Sequence, residues 1–402
     1  MSEREFDVIV YGASGFTGQL VAEYLTARGE TRWAMAGRSR SKLEAVRDEL
    51  GAHKDTPIIT ADAADAASLE AMAARAKVVL TTVGPYQLYG EPLVGACVKS
   101  GTDYVDLCGE PNWMAEMIAK YERAAKESGA RIVFSCGFDS IPFDCGVYFL
   151  QQQAKARSGA PSPRIRARVR KMKGTFSGGT MASMLATIDA QKRDPSLAKR
   201  LRDPFLLGGE RGPPQPAGDK PVYDADLNAW ATPFVMASIN TKNVHRSNAL
   251  LGHAYGRDFT YSEMQMTGSG EAGEKRAKAA ANQMLMLLVL LAFAPTRWAL
   301  KTFALPKPGQ GPNKEARESG LYEVLFVGDL AGGGQVRASV AGDKDPGYGS
   351  TSKMIAEAAL CLARDIGRET APGGVWTPAA AMGETLIARL QARAGLTFKA
   401  LD

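Results

Sequence analysis

Along the first 140 positions, short apolar runs alternate with helical stripes. The β-rich runs lie at 8–11, 33–36, 58–60, 78–82, 104–107 and 132–135. Between them, Leu20, Val21, Tyr24 and Leu25 form one stripe that stops before Gly29, and residues 113–128 read as a longer helix closed by Gly129. Ser41 and Glu44 have the spacing of a capping box for another helix. Strand–helix alternation at this spacing predicts an α/β fold with a doubly wound parallel sheet.

The pattern then changes. Residues 164–172, RIRARVRKM, alternate with period two, as do 259–266, 322–327 and 335–340 more loosely. These predict a second, α+β domain around a mostly antiparallel sheet with one wet face. Arg164, Arg166, Arg168 and Arg170 share a face, which is either solvated or a surface for an anionic substrate or lipid headgroup. The Pro- and Gly-rich stretch 208–224 reads as a loop. Residues 347–366 form a strong helical pattern that can return to the first domain, and 373–391 supply a turn and a last helix. The expected division is a dinucleotide-binding domain over 1–145, a substrate domain over 146–346 and C-terminal helices over 347–402.

The first strand runs into YGASGFTG, which leads into a helix. Free amides and the positive helix end face such a turn, making it an anion site. Gly12 permits the tight turn, Gly15 lets the backbone approach a pyrophosphate, and Gly18 lets the helix close on the sheet. The expected cofactor cradle is therefore Gly12, Ala13, Ser14, Gly15, Phe16, Thr17 and Gly18. An NAD site carries an acid at the end of the second strand. Here Arg38 stands in that place, followed by Ser39, Arg40 and Lys42. A guanidinium fork beside a hydroxyl suits a 2′-phosphate, so NADP(H) is the expected cofactor. Asp62, after the third strand, meets the adenine or caps the next helix. Gly84, Pro85 and Tyr86 follow the fourth strand, where the nicotinamide ribose lies.

These motifs, with TTVGPYQLYGEPLVGAC, GTDYVDLCGE, SCGFDSIPFDCG, GDKDPGYGSTSKM and GGVWTPAAAMGETLI, resemble the saccharopine dehydrogenase-like oxidoreductases. More closely, they resemble the branch of trans-acting enoyl reductases. The resemblance spans nearly the whole chain. It implies an N-terminal NAD(P)-binding Rossmann domain, a second α+β domain and oxidoreductase activity. In some members of the branch that activity falls on lipid-linked acyl chains, with an association with membranes or lipid bodies.

Hydride transfer asks the protein to position the nicotinamide and supply a proton. The candidates for that proton are Tyr86, Asp139, Ser140 and Tyr348. Each has a structural alternative: Ser140, Pro142 and Asp144 read as a helix start, and Tyr86 as a packing ring. His53, His245 and His253 fall in expected loops and offer no base. The segment FSGGTMASML, from Phe176 to Leu185, reads as a plain turn or a second anion site. MLMLLVLLAFAP begins at Met284 and places Ala294 before its closing proline. It is too short to span a membrane. Two readings stand for 284–294: a buried core helix, or a hydrophobic lip that touches a membrane or admits an acyl chain.

A length of 402 residues, 45% of them hydrophobic, suits two globular domains, and the net charge of +6 falls short of a nucleic-acid footprint. Five cysteines with no metal-ligand spacing point to a reduced, cytoplasmic setting and no metal site. The expected function is NADPH-dependent hydride transfer to a hydrophobic acyl or lipid-linked substrate, with oligomerisation open. The alternatives are saccharopine-type C–N chemistry on an amino-acid adduct, and a non-catalytic, membrane-associated NADP-binding protein.

Overall fold

The structure, a computed structural model, describes residues 4–174, 178–303 and 311–401. Its strands are β1 (Phe6–Tyr11), β2 (Trp33–Gly37), β3 (Ile58–Thr60), β4 (Ala76–Thr81), β5 (Asp103–Val105), β6 (Arg131–Val133) and β7 (Arg164–Lys173). They continue as β8 (Val222–Asp224), β9 (Ala229–Pro233), β10 (Thr260–Gly268), β11 (Leu321–Asp329), β12 (Gln335–Gly342), β13 (Gly374–Trp376) and β14 (Leu396–Leu401). Two seven-stranded sheets result, in the orders β13–β6–β5–β4–β1–β2–β3 and β14–β12–β11–β7–β10–β9–β8.

Every pairing in the first sheet is parallel. Its order reverses between β1 and β4, so the loops after those two strands open one crevice at the carboxyl edge. The six expected strands are all present, and β13 extends the edge beside β6. In the second sheet, β7 and β10 run parallel and the other pairs antiparallel. The fold is thus α/β, a parallel doubly wound sheet joined to a mixed second sheet.

Several local expectations need correction. β8 takes the last three residues of the expected loop 208–224. The arginine face of β7 is solvated only at its ends, where Arg164 and Arg170 are exposed; Arg168 is buried and Arg166 nearly so, and all four are paired. Arg164 pairs with Asp329, Arg166 with Asp224 and Asp226, Arg168 with Asp224, and Arg170 with Glu323. β7 is a central strand, so these cations need counter-ions from its neighbours. The expected break at 145 falls inside one continuous helix, Ile141–Ser158. The segment 347–402 is shared, because the helix Thr351–Arg364 packs on β1, β4 and β5 while β14 pairs with β12.

The helix Ile141–Ser158 joins the two sheets. It begins just beyond β6 and lies on the second sheet so closely that a Cβ on Gly146 would sit 2.3 Å from the Phe326 ring. One apolar core accordingly runs from Val8 and Val133 through Phe143 to Val169 and Phe326. At the first sheet's edge, Arg131 and Arg368 both meet Asp103, and Arg131 also donates to the carbonyls of Leu362 and Ile366. This buried cluster fastens the C-terminal helix to the sheet.

The run 284–294 is not a core helix. In the helix Gly270–Ala292, Leu291 is buried, but Leu285, Met286, Leu288 and Val289 are exposed, as are Phe293 and Trp298 beyond. The side chain of Ala294 lies outside the described residues. Among the described residues, no helix is long and apolar enough to cross a membrane.

Removing one partner of a buried ion pair strands the other charge. Asp103→Ala is therefore expected to cost about 3–5 kcal/mol, read as a lower thermal midpoint. The Asp103→Ala, Arg131→Met double variant should recover part of that loss.

Candidate functional site

β1 delivers the chain into the glycine turn. The amides of Gly12 and Ala13 both donate to the Ala36 carbonyl, at 2.9 and 3.2 Å, and Gly15 N donates to the Gly12 carbonyl at 2.9 Å. Gly12 has φ +91°, a conformation that favours glycine. A Cβ at residue 18 would lie 2.1 Å from the Gly12 carbonyl oxygen, so only glycine lets the helix Phe16–Arg28 start this close to the turn. Gly15 is exposed and serves as N-cap, and no side chain caps this helix. The uncapped amides and the positive helix end suit an anion such as a diphosphate.

The residues expected at the 2′-phosphate and adenine lie at the ends of β2 and β3, beside the end of β1. Burial pushes the Tyr11 hydroxyl up to about 12, with the charge of Asp62 adding to the shift and that of Arg38 opposing it. Arg38 and Asp62 thus both lie close enough to Tyr11 to act on it, and Arg38 is exposed. The helix Arg40–Glu49 starts two residues earlier than the expected capping box implies. Ser39 is its N-cap, accepting from Lys42 N at 3.4 Å, while Glu44 pairs with Arg40 at 3.0 Å instead of closing a box with Ser41. Ser39 and Lys42 remain beside Arg38. Asp62 accepts from Ala64 N at 3.0 Å, and the next helix, Ala66–Ala73, is capped by Asp65.

After β4, Gly84 is exposed and Tyr86 is buried. The Tyr86 hydroxyl donates to the Thr81 carbonyl at 3.2 Å and accepts from Leu107 N at 3.0 Å. Its proton is engaged inside the sheet edge, and burial raises its pKa further. Tyr86 therefore positions the loop and does not supply a proton. Glu110, unassigned by the sequence reading, anchors the same loop. Its carboxylate accepts from the amides of Tyr86 and Gln87 and from the Ser183 hydroxyl, at 2.9, 2.8 and 2.6 Å. Ser183 lies on the helix Gly178–Arg193. Phe176 and Ser177 lie outside the described residues. The Gly178 amide donates to the Tyr348 hydroxyl at 3.2 Å, so the expected second anion site loses a donor to a side chain. Tyr348 also packs edge-on against Phe16, 4.8 Å between centroids.

At the ends of β5 and β6, the structure brings together groups from distant parts of the chain. Ser140 starts the helix Ile141–Ser158, but its hydroxyl does not cap it. It donates to Asn240 Oδ1 at 2.7 Å and accepts from Asn243 Nδ2 at 2.8 Å. Asn240 Nδ2 donates to Glu263 Oε1 at 2.7 Å, and Tyr261 donates to Glu263 Oε2 at 3.1 Å. Asp139 carries Oδ1 sealed from solvent with no hydrogen-bond partner, as does Asn243 Oδ1. Burial lifts Asp139 to about 7 and Glu263 to about 8, and Asp139 contributes to the shift of Glu263. Asp144 lies in the first turn of the same helix, where its carboxylate meets Ser247 and the Ala379 amide, a structural anchor.

Asn240 and Asn243 stand on the helix Ala237–Leu250, whose polar run NTKNVHRSN is almost wholly buried. That mismatch between polarity and helical length was the available signal for them. The same helix holds His245, expected in a loop. Burial and the nearby Lys242 hold its imidazole neutral, at about 4.

The raised acids predict a pH dependence. Glu263 binds a proton in the folded chain up to about 8 but only to 4.5 when exposed. Its contribution to stability is full below the unfolded value and is lost as pH rises through the folded one. The thermal midpoint should therefore fall between about pH 5 and pH 8, and Glu263→Gln, the isostere of the protonated form, should flatten that slope.

Comparison with known proteins agrees with this geometry. Residues 8–133 match the family described as the saccharopine dehydrogenase NADP binding domain. The trans-acting enoyl reductase of Mycobacterium bovis is 41% identical over 403 residues, covering 97% of this chain and 96% of its own. That of Mycobacterium ulcerans is 39% identical over 405 residues, with the same coverage. Among solved structures, apo saccharopine dehydrogenase (L-Glu forming) from Saccharomyces cerevisiae superposes with a TM-score of 0.55 at 11% identity, over 98% of this chain and 99% of that one, a likeness of fold. A parallel sheet with an open glycine turn, an NADP-binding domain match and near-full-length relatives together place this chain in the trans-acting enoyl reductase family, NADP-dependent oxidoreductases of the saccharopine dehydrogenase-like fold.

Proposed function

We propose that this chain reduces the carbon–carbon double bond of an α,β-unsaturated acyl group on a hydrophobic substrate. The carrying observation is the open glycine turn on the same sheet edge as Asp139, whose sealed carboxyl oxygen has no partner. Enoyl reduction, named for the relatives, supports the reading. When bound, NADPH supplies the hydride, from C4 of its nicotinamide to the β-carbon.

In this reading, the amides of Phe16, Thr17 and Gly18 hold the diphosphate, with Gly12, Ala13, Ser14 and Gly15 shaping the turn. Arg38, Ser39 and Lys42 take the 2′-phosphate, and Asp62 lies toward the adenine. Gly84 and Pro85, held by Tyr86 and Glu110, border the nicotinamide ribose. Asp139 keeps a proton near neutral pH, donates it to the substrate α-carbon as the hydride arrives, and regains one from solvent through its partly exposed side. Ser140 is a positioning residue, gripped by Asn240 and Asn243 so that Asp139 is fixed in direction. Tyr348 packs the second sheet's segment against Phe16 at the turn.

The exposed apolar face around Leu285, Met286, Leu288 and Val289 supports a lipid surface as the substrate's source. Phe293 and Trp298 extend that face, and Arg297 and Lys192 lie at its edge, the composition of an interfacial segment. The helix Gly178–Arg193 links the two regions: Ser183 reaches Glu110 at the cofactor loop, and Lys192 reaches the Ala292 carbonyl at the apolar helix's end.

Asp139→Asn is expected to lower the rate of NADPH oxidation with a long-chain trans-2-enoyl N-acetylcysteamine thioester by about 10²–10⁴-fold while NADPH affinity holds. An undiminished rate removes Asp139 from the chemistry, and a wild type inert toward enoyl thioesters argues against the reaction. Anionic phospholipid vesicles should co-sediment the wild type, and the Leu285→Ser, Leu288→Ser, Val289→Ser variant should stay in the supernatant. Wild-type protein that never sediments contradicts the lipid contact.

A further inference from the structure

A short segment ahead of β11 crosses in front of the glycine turn. A Cβ on Gly311 would lie 2.2 Å from the Phe16 ring, so the backbone there rests on that ring. Six residues on, the Arg317 guanidinium stands over the same ring, with Cζ 5.5 Å from the centroid. Arg317 is held from both sides. Its Nη1 donates to the Pro312 carbonyl at 2.8 Å, and its own carbonyl accepts from Asp345 N at 3.0 Å. Phe16 is the first residue of the uncapped helix that follows Gly15.

Most of the chain's buried arginines have a counter-ion. Arg131, Arg166, Arg168, Arg246 and Arg389 are buried or nearly so, and each pairs with a carboxylate. Arg317 is also partly buried, yet no carboxylate lies within ion-pair range of it among the described residues. It stands instead beside the positive end of a helix dipole, which disfavours a cation until an anion arrives between them. The missing counter-charge has a defined place, the face of the turn where the helix amides are open.

We infer that Arg317, from the segment leading into the second sheet, is a ligand of the bound dinucleotide's diphosphate, closing over the turn from the side opposite the helix amides. This rests on the reading of the glycine turn as the diphosphate site. The turn alone offers neutral N–H donors, and Arg317 adds a full positive charge and two-pronged donation. Cofactor binding then also draws the Gly311–Arg317 segment against the first sheet.

The test uses the whole chain and two probes, NADPH and adenosine 2′-monophosphate, which keeps the 2′-phosphate but has no phosphate at the 5′ position. Arg317→Ala should weaken NADPH about 10-fold or more and leave the monophosphate within about twofold, with Arg317→Lys recovering part of the loss. Arg38→Ala should weaken both probes, because both carry the 2′-phosphate. Unchanged NADPH affinity in Arg317→Ala overturns the inference and leaves Arg317 as packing for Phe16. Equal losses for both probes also overturn it, marking a general collapse of the corner. Wild-type protein that binds the monophosphate but gains nothing from NADPH's diphosphate refutes the underlying reading of the turn.

Discussion

The chain's architecture depends on how near one helix approaches one carbonyl. A side chain of any size at residue 18 would strike the oxygen of Gly12, and Gly12 itself has a backbone conformation few residues tolerate. Meeting both conditions leaves the first-turn amides of the helix Phe16–Arg28 facing outward with no side chain to cap them. Ser39, Asp65 and Asp345 each accept from the amides of the turn they precede, whereas this terminus, like that of the helix Ile141–Ser158, has no side-chain cap. What sets it apart is the glycine turn in front of it, which leaves its amides open to an anion, in the proposed reading a dinucleotide's diphosphate.

The second sheet supports the proposed proton donor. The first sheet alone carries Asp139 but has nothing to fix it. Asn240 and Asn243 come from a buried polar helix, and Glu263 and Tyr261 from a strand of the second sheet, and they converge on Ser140 next to Asp139. Such a network is costly to bury unless nearly every polar group is paired. Two acceptors, on Asp139 and Asn243, stay unpaired. In the proposed reading, these unpaired oxygens find their partner when the substrate binds. Gly146 keeps this junction tight, since the helix that follows Asp139 touches Phe326 directly.

Much of this was legible in the sequence, for a definite reason. β1 to β6 and the strands β7, β10, β11 and β12 carry enough apolar or alternating residues to announce themselves, and the glycine spacing places the cofactor turn. What stayed hidden was short or decided by distant partners. β8 and β13 are three residues each, and β13 is framed by Gly-Gly and Thr-Pro, so only the neighbouring strand makes it a strand. The arginines of β7 look like a wet face until Asp224, Asp226, Asp329 and Glu323, from far along the chain, come to meet them. Glu263 sits in an ordinary alternating pattern, and nothing local says that its face is buried against Asn240. The run from Met284 reads equally well as core or surface, and only the placement of its helix decides for the surface.

The measurement that tests the account most directly is a structure of the chain with NADP⁺ bound. The account predicts the diphosphate hydrogen-bonded to amides between Gly15 and Gly18, with C4 of the nicotinamide facing the Asp139 carboxyl across a space open to an acyl chain. A diphosphate bound elsewhere, or a nicotinamide whose reactive face is walled off from Asp139, would contradict it.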